Sequence, residues 1–234
     1  MAHQLLLNRA MNAITTWTTQ RFQKLLLLVI FASFAVLLYA GHRIKQEAAP
    51  IPQRVAAANG EEIIAPGEIE DGQNVWQAMG GMQVGSVWGH GSYVAPDWTA
   101  DYLHREARKV LDQYARQAGA TNYDALKPEA QAAMRERLRA AIRTNTYDPS
   151  SGVLIISTER AHAYRDLEAY YAELFRDGRR EFAIPAGSQR DPKKLHQLTA
   201  FFFWASWAAS TDRPSTPGTS YTNNWPHEPL VENR

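Results

Sequence analysis

The sequence predicts a mainly α-helical protein, with one N-terminal transmembrane helix followed by an all-α domain outside the membrane. Leu25 to Gly41 reads LLLLVIFASFAVLLYAG without a charge, about long enough for a bilayer core, which takes ~17–25 apolar residues. Beyond it, apolar residues recur at three- and four-residue spacing in four stretches, two of which open on proline and the other two of which close on glycine. Only Gly152 to Ser157, GVLIIS, has the composition of a strand.

The N-terminal segment is expected to remain as an anchor. A cleaved signal peptide has an apolar core of only ~7–15 residues and ends at a small-x-small site. Here Leu38 and Ala40 make a poor site and the preceding arm, residues 1–24, is long. Arg9, Arg21 and Lys24 on one side balance Arg43, Lys45 and Arg54 on the other, so charge counting leaves orientation open. Residues 42–60 are Ala-rich, and Pro50 and Pro52 disfavour helix, so this stretch is expected to be a linker. The acidic run Glu61 to Asp71 is expected to be solvated loop.

Four helices follow within the expected domain, residues 61–210. Thr99 to Ala118 places Leu103, Ala107, Val110, Leu111 and Tyr114 on one face, and Gly119 ends it. Pro128 to Thr144 starts on a first-turn proline and carries Met134, Leu138, Ala141 and Ile142 inward. Thr158 is the expected cap of a third helix running through Phe175, which Gly178 can terminate. Leu198 to Ala209, preceded by the capping Asp191 and Pro192, is uncharged but too short to span a membrane. Residues 211–234, rich in Pro, Thr, Ser and Asn, read as an extended strap.

Composition excludes several chemistries. The chain has 234 residues, a formal net charge of +1 and interleaved acids and bases, so no nucleic-acid stripe is expected. With no cysteine, disulfides, thiolate metal sites, cysteine nucleophiles and covalent c-type haem attachment are ruled out. The seven histidines lack the paired spacing of metal ligands. Gly80, Gly81, Gly85, Gly89 and Gly91 lack the Lys-Ser/Thr ending of a phosphate loop and read as a tight turn. Trp76, Trp88, Tyr93 and Trp98, with Phe201 to Trp207, are rings expected to be buried, a ring-lined quinol groove being the sharper alternative.

Two long motifs carry a resemblance. GMQVGSVWGHGSYVAPDWTADYLHREA, Gly81 to Ala107, resembles the opening of the haem-free domain in quinol-dependent nitric oxide reductases. TAFFFWASWAASTDRPSTPGTSYTNNWPHEPLV, Thr199 to Val231, resembles the segment leading from that domain into their catalytic membrane part. The first motif also resembles the cytochrome c subunit of two-subunit nitric oxide reductases, where a C-x-x-C-H haem motif precedes a G-x-G-x-Y-x-A-P loop. Gly89, Gly91, Tyr93, Ala95 and Pro96 keep the loop, whereas Gly81 and Val84 stand at the thiol positions and Gly85 at that of the proximal histidine. Ile184, before Pro185, stands where an axial methionine is placed.

The resemblance implies a cytochrome c-like fold without haem, its vacated pocket filled by side chains such as Trp88, Met82 and Ile184. It also implies a bacterial inner-membrane location with the main domain periplasmic. In the family, quinol feeds haem b, haem b3 and a non-haem iron, which reduce two NO to N2O within a polytopic bundle. The sequence ends at Arg234, after Glu232 where the family implies a glycine, so none of its positions receives those ligands and no cofactor is expected in this chain. The expected partners are lipid and the catalytic bundle, the latter through Trp204, Trp207, Trp225 and Pro226; nothing in the residues supports direct contact with quinol. The alternative is a stand-alone, single-pass binding or assembly module.

Overall fold

The computed structural model describes residues 2–91 and 94–233, forming two units, 1–48 and 49–234. The first is a single helix, α1 (Ala2–Glu47). The expected arm and anchor are thus continuous helix, which also extends past Gly41. Its Thr19–Glu47 part, 29 residues, is the one helix among the described residues long and apolar enough to cross a membrane. At ~1.5 Å per residue it reaches roughly 43 Å, about the full thickness of a bilayer with its headgroups. The side chains from Leu25 to Leu38 find no protein to pack against, as lipid-facing residues require.

The second unit is mainly helical, as expected, but a small sheet closes one side. β1 (Arg54–Ala57), β2 (Glu62–Ile64), β3 (Tyr147–Asp148) and β4 (Val153–Ile156) form it in the order β2-β1-β4-β3. β1 runs parallel to β4, with Arg54 opposite Val153 and Ala57 opposite Ile156. The expected linker is therefore corrected: Val55, Ala56 and Ala57 are buried strand residues. The acidic run is corrected too, since it supplies β2 and the first turn of α2 (Glu68–Ala78). There Glu68, Glu70 and Asp71 sit where the helix dipole favours negative charge.

The four expected helices form, three of them within a residue or two of their expected bounds: α3 (Trp98–Gln117), α4 (Pro128–Arg143) and α5 (Thr158–Asp177). The fourth, α6 (Pro192–Ser210), starts at its proline and includes the whole expected apolar stretch. Ser157, one residue before the expected Thr158, caps α5 by accepting from Arg160 N. Asp97 and Asp191 cap α3 and α6 in the same way. The main core lies between the sheet, α2, α5 and α6, with Trp98 and Tyr102 from α3. A second, on the other side of α3, joins α4, Tyr123 and Val231. Glu106 and Arg160, both fully buried, tie α3 to α5 at 2.7 Å.

The strap is corrected from an extended leader to part of this unit. It opens with a hairpin, β5 (Asp212–Arg213) and β6 (Thr216–Ser220). Tyr221 N then donates to Ala208 O, and the buried Asn233 amide donates to Ala209 O and Pro226 O, both at 2.9 Å.

Candidate functional site

The site to test is the glycine-rich turn and the structure beneath it. Residues 81–84 form one 3-10 turn, and Gly85 follows with φ 138. A Cβ on Gly85 would lie 2.0 Å from Trp98 Nε1, so only glycine lets the backbone press against this indole. The capping Asp97 makes the arrangement rigid: one carboxylate oxygen accepts from Ala100 N, the other from Ser86 Oγ at 2.8 Å and Gly89 N at 2.6 Å. Trp98 Nε1 donates to Val84 O at 3.1 Å. Its ring stacks on Phe202 with centroids 5.1 Å apart and meets Phe175 and Tyr171 on other sides.

Ile184 is buried in the same core and held by a reciprocal backbone pair with Arg179. Gly81, Val84, Gly85 and Ile184, the positions singled out by the resemblance, carry only hydrogen or an alkyl group as side chains. Among the described residues, no group of three His, Cys, Asp or Glu side chains is arranged to hold a metal.

Of the three expected fillers, Ile184 is buried and Trp88 is half-buried, its Nε1 donating to Ala205 O at 2.9 Å and its ring lying 5.4 Å from Trp204. Met82 is corrected: at 55% exposure it fills nothing. Trp98, expected to be buried but not named among the fillers, is fully buried against this turn. The signal for it was Asp97 followed by tryptophan, because a cap fixes the next side chain against whatever precedes the helix.

Residues 52–227 match the family described as the cytochrome c-like domain of the nitric oxide reductase NorB. The chain belongs to this family. No curated protein matches it.

In this nitric oxide reductase domain, the expected partner contacts separate. Trp204 and Trp207 are corrected: at 8% and 1% exposure they are enclosed by their own domain, because α2, α3, α5 and the hairpin together surround α6. Trp204 Nε1 donates to Pro50 O, and Trp207 packs on Tyr147 and Tyr221. Pro226 is also buried, whereas Trp225 is 57% exposed. Tyr93, in the loop the resemblance emphasised, lies outside the described residues. The rings pack on one another as a core rather than lining a groove.

His196 does not lie free at the surface. It is clamped instead, Nδ1 3.0 Å from Glu168 Oε1 and Nε2 3.0 Å from Glu68 Oε2. The hydrogen bond to Glu168, opposed by burial and joined by the bond to Glu68, raises its pKa to about 9. Two carboxylates on opposite ring nitrogens make a charge clamp joining α5, α6 and α2, with no open coordination position.

Proposed function

We propose that this chain is the anchored, N-terminal portion of a quinol-dependent nitric oxide reductase, in which the cytochrome c-like domain is a haem-free scaffold for the catalytic bundle. The observation that carries this reading is Trp98 seated against Gly85. The residues that the resemblance aligns with the family's haem positions do not fit that group: no thiol can form a thioether, no side chain there offers an iron ligand, and the Trp98 indole already fills the space against Gly85. Electrons then have no carrier in this domain and must reach the b-type haems and the non-haem iron from quinol within the membrane. The domain faces the periplasm, and its contribution is structural.

The test is the electron donor. Membranes containing the full chain with the polytopic part should reduce NO with a quinol and gain nothing from reduced cytochrome c. When a haem-maturation system is co-expressed, the chain should show no covalent haem. A haem-stained band at the mass of this chain, or turnover that requires cytochrome c, would overturn the proposal.

A further inference from the structure

The turn that rests on Trp98 also presents apolar side chains outward. Met82 is 55%, Val94 60% and Trp225 57% exposed, the large hydrophobic residues so placed among the described residues of the second unit apart from Ile155. Met82 and Trp225 share one support, and Val94 belongs to the loop that Ser86 N closes by donating to Pro96 O. A Cβ on Gly91 would lie 2.9 Å from Met82 O, and a Cβ on Gly89, two residues earlier, would lie 2.1 Å from Trp225 Nε1. The strap thus lays its tryptophan against the backbone of the turn that also holds Met82.

Trp225 is held in place. Asn224 accepts from Ser220 N, its own N–H donates to Ser220 Oγ, and its side chain donates to Gly218 O. On the other side, Pro226 O accepts from buried Asn233. An exposed aromatic ring fixed at both ends loses little freedom on binding, the property of an interface anchor.

Charge decides between lipid and protein as the occupant. A surface that binds anionic lipid needs lysines or arginines at its edge. None occurs from Val55 to Leu103, nor from Pro214 to Val231; the single arginine that reaches this part of the strap, Arg213, is bonded to Asn223 Oδ1 at 2.8 Å, and the groups contributed near the patch include Asp97 and Glu228. Tryptophan and methionine in a setting depleted of lysine are instead the composition of a protein interface.

We propose that Met82, Val94 and Trp225 form the face that seats on the membrane-embedded catalytic bundle. This rests on the functional reading above and gives it a contact surface, in place of the buried face of α6.

The experiment uses the full chain, in membranes that also hold the polytopic part, with a benzophenone amino acid in place of Trp225. Crosslinks to peptides of the polytopic part are expected, whether that part is separate or continuous with this chain. The same probe in place of Ile155, on the outer face of β4, sets the background. Crosslinks from position 225 to lipid alone, or no more frequent than from 155, overturn the docking face. With the probe moved to Val94, Trp225→Ser should lower the yield about tenfold or more while the melting temperature of the purified chain stays unchanged. An unchanged yield also overturns it. NO reduction in the same membranes separates the two claims: activity that needs this chain, without crosslinks, removes the docking face alone. Activity indifferent to the chain removes the reading beneath it.

Discussion

With a carboxylate at each ring nitrogen, His196 satisfies both hydrogen bonds only as the imidazolium, since a neutral ring would turn a lone pair toward one glutamate. Folding raises its pKa to about 9 from an unfolded value near ~6.5. A group raised in this way stabilises the fold fully below the unfolded value, and that stabilisation drains as pH rises through the folded one. Tyr164, edge-on to the ring, does not compete, because burial holds its hydroxyl protonated well above that range. Stability should therefore fall by about 1–2 kcal/mol between pH 6.5 and 9.5, after discounting for solvent at the ring. Thermal melts of the detergent-solubilised chain across that window check this. His196→Gln should flatten the profile, and an equal slope in that variant would refute the assignment. Nothing local in the sequence marks this clamp, because its partners stand 28 and 128 residues away. Gly85, in contrast, was legible as a tight turn but not as the seat of Trp98.

Among the elements, α3, α4, α5 and α6 were legible because each carries its own start, stop and apolar period. α2 was not. Ile69, Gly72, Val75 and Trp76 do share a face, but the acidic first turn and the central glycine, a poor helix former, disguise it. β1 was missed for a different reason: four residues beside prolines show no period, and their strand character comes from pairing with β4, far along the chain. The glycine that hides α2 also positions it. A Cβ on Gly72 would lie 1.9 Å from Gln197 O and 2.9 Å from Phe201 Cβ, so α2 and α6 touch backbone to backbone. Helix propensity alone predicts that Gly72→Ala stabilises by about 1 kcal/mol. The clash with a main-chain carbonyl outweighs that, and a net loss of about 2–3 kcal/mol is expected. Denaturant melts followed by tryptophan fluorescence check it; a stabilised variant would show that the two helices separate without cost.

For the whole molecule, the sequence conveyed the division into an anchor and a mainly helical domain but drew the domain too small. Its expected limits, residues 61–210, leave out β1 at one end and Val231 and Asn233 at the other, all of them largely buried. Such ends read as linker and strap because their contacts are non-local. The anchor itself is a local property, since its apolar run is uninterrupted. The domain, with its own cores and a polar surface around one apolar patch, gives no comparable reason to stay at a membrane in cells without the catalytic part. Attachment there should depend on α1 alone. Phe31 and Phe34, both exposed, lie three residues apart on one side of the helix. Each arginine at mid-span costs ~2.5–3.5 kcal/mol, so Phe31→Arg with Phe34→Arg should penalise insertion by about 5–7 kcal/mol. In such cells the double variant should leave the membrane fraction on alkaline extraction, while single conservative changes to leucine stay. A double variant that resists extraction as well as the parent would mean that something other than α1 holds the chain. An N-terminus beginning at Gly41 or Ala48 in the isolated protein would mean that α1 is removed rather than retained.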